Sequence, residues 1–99
     1  MPVEFRGNTS VIPAGQVGVA TIPETVVFNS PVLEAQVVIN GFQVRYDTGA
    51  RLFANLEINT GNITISGTNV DYEIRVEVAD FTGGESFNGF VTAVVFVRT

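Results

Sequence analysis

The side chains that could do chemistry in this chain are ten carboxylates and five arginines, because His and Cys are absent. Without them, Ser-His and Cys-His nucleophilic pairs cannot form within one chain, and the commonest zinc ligands are missing. Asp47 and Glu57 could be imagined as the paired carboxylates of a glycosidase. The acids are nevertheless spread over exposed positions, with no sign of a deep cleft. We therefore predict a protein that is not an enzyme and that needs no cofactor.

Two acidic segments could bind a cation. The acids of residues 71–77 alternate along one predicted strand with Arg75 among them, which spaces them too widely for a compact Ca²⁺ cage. The segment 80–86 combines Asp80, a second acid and a Gly pair, and it could hold an ion or a hydroxylated ligand. It lacks the acidic spacing of an EF-hand loop, so a plain hairpin loop is favoured. We predict a solvated acidic face and no metal site.

Arg51 and Phe53 share the polar face of a strand predicted at residues 50–58. Arg51 could donate charge-assisted hydrogen bonds to a sugar hydroxyl or a carboxylate. The alternative, which we favour, is an ion pair with Glu57, Glu73 or an acid of another chain. Phe53 could stack on a sugar ring or pack in a subunit interface, and we favour the interface.

Composition favours an acidic protein that associates with itself. The net charge of −5 comes without any basic run, which argues against nucleic-acid binding. Hydrophobic residues make up 45% of the chain and charged residues 15%, so a monomer would expose much apolar surface and we expect an oligomer. No apolar run approaches the roughly 18–20 residues of a membrane span. The first residues, MPVEFRGNTS, lack the apolar stretch of a signal peptide, and the compartment stays open.

Alternation of apolar and polar residues is the dominant pattern. In residues 70–80 the apolar side chains face one way and the charged side chains face the other, as in a strand with one buried face. Residues 90–98 are apolar on both faces, with Val95 on one face and Phe96 on the other. One face of such a strand meets the core. The other face should meet another subunit or a covering loop.

A change of phase marks the strand predicted at residues 34–46. Apolar side chains occupy odd positions up to Ile39 and even positions from Phe42, which requires an inserted residue. Gly41 lies at the change, so we predict a β-bulge there. A hairpin at Asn40-Gly41 is the alternative.

The remaining strands and turns complete an all-β prediction. The strand at residues 50–58 should direct four side chains to the core: Leu52, Ala54, Leu56 and Ile58. Shorter strands are predicted at residues 16–22, 25–29 and 62–66. Turn-forming residues predict turns at 13–15, 30–31, 47–49, 59–62, 67–69 and 82–84. This spacing predicts one domain, residues 1–99, folded as a six- to seven-stranded antiparallel β-sandwich.

Three segments together resemble the H-type lectin domain, the family of snail agglutinins and of the C-terminal domain of slime-mould discoidins. They are VVFNSP at 26–31, AQVVI at 35–39 and RLFANL at 51–56. They are similar to the family's aromatic-x-Ser-Pro corner, to the long strand after it and to its Arg-x-x-Ala-x-Leu strand. The alternating strand at residues 72–78 also suits the family's final strands.

The resemblance implies a six-stranded sandwich that forms a homotrimer or, as a dimer of trimers, a hexamer. It also implies a glycan of the N-acetylgalactosamine kind bound in shallow clefts between subunits, with Arg51 in the Arg position of the family's site. The family's aromatic and His before the next long strand are replaced here by Ser66-Gly67-Thr68-Asn69, and the chain has no Trp or His.

We therefore predict a non-enzymatic, multivalent carbohydrate-binding module of the lectin and cell-adhesion kind. Its predicted ligand-binding residues are Arg51, Phe53, Ser66, Asn69 and Asp80. The alternative is a structural or assembly module of a virion, appendage or adhesin, in which the same surfaces are only subunit contacts.

Overall fold

The structure is a computed structural model and describes residues 2–49, 53–80 and 84–99. The part of the chain that it describes is built of β-strands, turns and loops, without a helix, which confirms the all-β prediction. Within these ranges the structure has six strands: β1 (Val3–Val17), β2 (Val19–Val27), β3 (Glu34–Tyr46), β4 (Phe53–Ser66), β5 (Asn69–Asp80) and β6 (Ser86–Arg98).

The strands form two antiparallel sheets of three strands each, which we call sheet A (β1-β6-β3) and sheet B (β2-β5-β4). Their inward faces share one hydrophobic core. The chain passes from sheet A to sheet B at Gly18, whose φ of +73° lies in the left-handed region that favours glycine. The molecule is long and narrow, with principal extents of 50 × 18 × 18 Å.

The two central strands, β5 and β6, supply most of the fully buried side chains. Almost every second residue of each strand is buried, as the alternation of the sequence predicts. The buried set on these strands is Val70, Tyr72, Ile74, Val76, Val78, Phe87, Val91, Ala93, Val95 and Val97. The pattern predicted for residues 70–80 and the core-facing side predicted for residues 90–98 are therefore confirmed.

The predicted bulge in β3 is confirmed. The pairing of β3 with β6 shifts register between Ile39 and Gly41, so the chain continues straight through Asn40 and the alternative hairpin is wrong. The hydroxyl of Thr92 donates to the carbonyl oxygen of Gly41 at 3.2 Å and fixes the bulge against β6.

Two predicted turns are instead bulges within long strands. The register of β1 with β6 shifts between Ile12 and Gln16, where Gly15 has a φ of +90°. The register of β4 with β5 shifts between Gly61 and Thr64, where Asn62 has a φ of +52°. The left-handed residues of a bulge and of a turn are the same types, so composition alone does not separate them. The predictions at 30–31, 47–49 and 67–69 do lie at bends or turns.

The predicted orientation of Phe53 is wrong. The pairing of β4 with β5 shifts between Phe53 and Asn55, which leaves Ala54 exposed and turns Phe53 toward the core. Leu56 and Ile58 do pack against the core, as expected. Residues 50–52, including Leu52 and Arg51, lie outside the described residues, as do residues 81–83 of the predicted loop.

Candidate functional site

Among the described residues, all three strands of sheet A direct apolar side chains to the outer face of that sheet. Residue pairing assigns this face, because residues directly opposite each other in a sheet point to the same side. On β6 the even-numbered residues point outward, since the odd-numbered residues 91–97 are buried. The outward apolar side chains are Val3, Phe5 and Val11 on β1, Val38 on β3, and Phe90, Val94 and Phe96 on β6.

Aromatic side chains form the centre of this face. Phe5 is directly paired with Phe96, and their ring centroids are 5.9 Å apart. Phe5 has 69% of its surface exposed and Phe96 has 39%. Such exposure is ordinary for one residue, but a contiguous patch of this kind typically marks an interaction surface.

Charge on the outer face of sheet A is confined to its two ends. Glu34 forms an ion pair with Arg98 at one end, and Arg45 donates to Asn88 Oδ1 at 3.3 Å at the other. The aligned outward positions between these ends, all within the described strands, carry no charge. An open depression of about 510 Å³ lies at the Glu34 end, between Val3 and the side chains of residues 34–36 and 96–98.

The outer face of sheet B is polar and acidic. Arg75 lies 3.6 Å from Glu77, and Asn62 donates to Glu73 at 2.7 Å. Glu57 is paired directly with Glu77, an arrangement tolerated where water screens the charges. Among the described residues, no group of three acidic side chains could hold a metal ion.

A polar cluster at the Tyr46 end of sheet A surrounds Asp47. Its carboxylate accepts from the Gly15 amide at 2.8 Å and from the Asn88 side chain, and Ser86 adds a further hydrogen bond. The hydrogen bond from Asn88 is the main cause of a pKa of Asp47 below its ordinary value. The carboxylate joins the bulge of β1 to the ends of β3 and β6. Glu57 is on the outer face of sheet B, so these two acids do not share a cleft.

A second polar cluster links the sheets on the β1 side. The Asn8 amide donates to the hydroxyl of Tyr72 at 2.8 Å and to Glu24 at 2.7 Å. Burial is the main cause of a raised pKa of Tyr72. The phenol oxygen accepts the hydrogen bond from Asn8 within the sandwich.

The structure separates the sequence-predicted ligand residues into two groups. Ser66 and Asn69 are paired across the β4–β5 turn, where Ser66 is exposed and Asn69 half-buried. Phe53 pairs with Asp80 at the far end of the same two strands. Asn69 and Asp80 are the first and last residues of the 12-residue strand β5, a distance of about 36 Å at strand rise. Within one chain, these two groups cannot contact the same sugar ring.

The predicted ligand residues also differ in the contacts that their side chains make. The ring of Phe53 stacks on that of Tyr46 with centroids 4.9 Å apart, so its exposed aromatic surface is reduced. Thr68 donates to Asn69 Oδ1 at 3.5 Å. Arg51 and the side chain of Asp80 lie outside what the structure describes, so their predicted roles stay predictions.

Sequence reasoning identified the outward face of β6 but missed the face of β1 beside it. Val3, Phe5 and Val11 all occupy odd positions, so a period of two was present in the sequence. The intervening glycine and threonine obscured this period.

The fold and this surface define the chain as an all-β sandwich of two three-stranded sheets with one apolar and one acidic outer face. No family model matches the chain, and neither does any curated protein or solved structure. The H-type lectin resemblance therefore stays a prediction. In the described ranges, no helix has both the length and the apolar character to cross a membrane.

Proposed function

We propose that this chain is a structural assembly module that associates with itself through the outer face of sheet A. One observation carries the proposal. Between their charged ends, the outward positions of three neighbouring strands carry no charge and include Phe5, Phe90 and Phe96, whereas the outer face of the other sheet is acidic. The apolar side chains of this outer face leave water only when another surface covers them, and that burial favours association.

The size of the face supports this role. Strand β6 has 13 residues, so the face is about 43 Å long and about 14 Å wide across three strands, or about 600 Å² in projection. Two such faces in contact would bury about 1,200 Å², which reaches the lower range of stable protein interfaces. The projected area includes the charged end rows and lies at the upper end of the roughly 300–600 Å² found for the largest patch of a typical monomer.

The experiment compares matched substitutions on the two outer faces. Val38 on sheet A and Val27 on sheet B are both edge-strand valines, exposed by 43% and 53%. We expect Val38→Asp and Phe96→Asp to lower the assembly mass measured by light scattering after gel filtration. We expect Val27→Asp to leave that mass unchanged.

The outcomes separate the proposal from simple misfolding. Circular dichroism of each variant checks that the sheets are retained. An assembly mass that is the same for wild type, Val38→Asp and Phe96→Asp would show that this face is not the interface. A wild-type protein that is monomeric at micromolar concentration would contradict the proposal directly.

Glycan recognition is a second candidate function. The observation that favours it is the polar pair at the β4–β5 turn, exposed Ser66 and half-buried Asn69, since hydroxyl and amide groups suit hydrogen bonding to sugars. A glycan array probed with the assembled protein tests it, with Arg51→Ala and Asn69→Ala as variants. Binding that Asn69→Ala abolishes while the assembly mass is unchanged would support a sugar site at the β4–β5 turn, and binding that Arg51→Ala abolishes would support the predicted role of Arg51. An array without signal would leave assembly as the function.

A further inference from the structure

The outer face of sheet A has a repeating order when it is divided into rows of directly paired outward residues. Each row crosses β1, β6 and β3 in turn. On one side of Ala93 the rows are Gly7-Val94-Val38, Phe5-Phe96-Gln36 and Val3-Arg98-Glu34. On the other side they are Thr9-Thr92-Gly41 and Val11-Phe90-Gln43, followed by Asn88-Arg45.

The two halves have similar side chains when their rows are counted outward from Ala93 in the two opposite directions along β6. The first row in each direction contains only glycine, valine or threonine. The next row has a phenylalanine on β6, an apolar residue on β1 and a glutamine on β3 on both sides. The end rows have opposite charges on β3, which are Glu34 and Arg45.

We propose that a second copy of this chain docks on sheet A face to face and antiparallel, about a two-fold axis that crosses β6 at Ala93. This inference rests on the proposed self-association and specifies its geometry. In the dimer, Phe96 lies against Phe90 of the second copy, and Phe5 lies against Val11 of the second copy. A two-fold interface uses one patch twice, so such a patch must be complementary to itself.

Polar groups support the antiparallel arrangement. It places Gln36 over Gln43 of the second copy, so each side-chain amide can donate to the other and accept from it. It also places Glu34 near Arg45 of the second copy, at the rim of the contact. Stacking the strands in parallel would instead lay β1 on β3, which would cover Gln36 with Phe5 and leave a buried amide unsatisfied.

Packing distances also fit. Stacked sheets lie about 10 Å apart, and their strands cross at about 30°. The strands of the two copies are therefore best aligned near the axis, where Gly7, Thr92 and Val94 have short side chains. At the end rows, about 16 Å from the axis, a crossing of this size displaces the strands sideways by about 8 Å, or nearly two strand spacings. Long side chains such as Glu34 and Arg45 are therefore the ones able to bridge the gap.

A charge exchange tests the geometry. In the two-fold dimer, residue 34 of each copy faces residue 45 of the other. The variant Glu34→Arg alone therefore places two arginines opposite each other at each end, and Arg45→Glu alone places two glutamates opposite each other. We expect each single variant to raise the dimer dissociation constant about tenfold at low salt, since the contact occurs twice. Mixing the two variants pairs Arg with Glu at both ends, and we expect wild-type association to return in sedimentation velocity. Glu34→Gln, which removes the ion pair with Arg98 without reversing charge, is the control and should have a smaller effect.

A cross-link gives a second readout that does not depend on charge. The chain has no Cys, so Thr92→Cys introduces a single thiol close to the proposed axis. A short bis-maleimide should join two copies through it, whereas Thr21→Cys on the outer face of sheet B should stay uncrosslinked.

The outcomes distinguish this geometry from self-association as such. If Phe96→Asp dissociates the assembly while mixing the two charge variants fails to restore association, the face is an interface but the two-fold arrangement is wrong. A wild-type mass of three chains, or equal cross-linking at Thr92→Cys and Thr21→Cys, would also overturn it. If neither Phe96→Asp nor Val38→Asp changes the mass, the proposed function itself fails.

Discussion

Gly89 provides the sharpest test of the sheet A packing. It pairs with Val44 of β3 and has a φ of +148°, which L side chains rarely adopt. A Cβ at this position would lie 1.8 Å from the carbonyl oxygen of Gln43 and 2.8 Å from its carbonyl carbon. Both atoms belong to the backbone, so no side-chain rotation relieves the overlap. Gly89→Ala must therefore push β3 away from β6.

The expected cost follows from two contributions. Overpacking a well-packed site costs about 1–3 kcal/mol. Holding a residue with a Cβ at this φ adds about 1–3 kcal/mol. The sum, about 2–6 kcal/mol, is a large part of the roughly 5–15 kcal/mol that stabilises a small domain. Urea unfolding followed by circular dichroism, at fixed protein concentration, measures it as a lower midpoint.

Gly61→Ala is the matched control. Gly61 is also in a strand, but no atom lies within 4 Å of a Cβ built there, and its φ is not in the left-handed region. We expect its unfolding free energy to equal that of wild type or to exceed it by up to about 1 kcal/mol. Equal midpoints for Gly89→Ala and wild type would refute the close approach of β3 to β6.

Three further predictions concern the polar clusters and Phe53. Since the folded-state pKa of Asp47 is lowered, its stabilisation is present above the unfolded pKa of about 3.9 and is lost as pH falls through the folded value. Asp47→Asn should weaken the fall of the urea midpoint between pH 7 and pH 3, and an unchanged pH dependence would contradict this. Tyr72→Phe removes an acceptor of Asn8 and should cost about 1 kcal/mol in urea unfolding; an unchanged midpoint would exclude a stabilising bond. Phe53→Ala should cost about 1–3 kcal/mol, because its ring stacks on Tyr46 and packs against the core; a neutral effect would restore the outward orientation predicted from sequence.

The sequence predicts the central strands better than the edge strands. Strands β5 and β6 have strand neighbours on both sides, so their inward positions must be apolar and the alternation is clear. The bulge at Gly41 is equally readable, because a change of parity within one strand requires an inserted residue. The bulge after Phe53 has no glycine to mark it, and the parity of the surrounding residues does not reveal it.

Strand β1 shows why an edge strand can be misread. Its inward positions include Asn8, which bonds to Glu24 and Tyr72, and Ser10, which is buried. Its outward positions include Phe5 and Val11. The strand is therefore more polar inside than outside, the reverse of the pattern for a strand with a wet outer face. This inversion is the pattern that the proposed self-association through the outer face of sheet A would produce.

The sandwich edges strengthen the same argument. All four edge strands are interrupted: β1, β3 and β4 by bulges, and β2 by Pro23, which has no amide hydrogen to donate. Such interruptions hinder the addition of further strands to a sheet. Sheet B is covered outside by acids that repel a second copy. Edge-to-edge growth and contact through sheet B are thus both disfavoured, and the outer face of sheet A is the surface on which association gains the most from apolar burial.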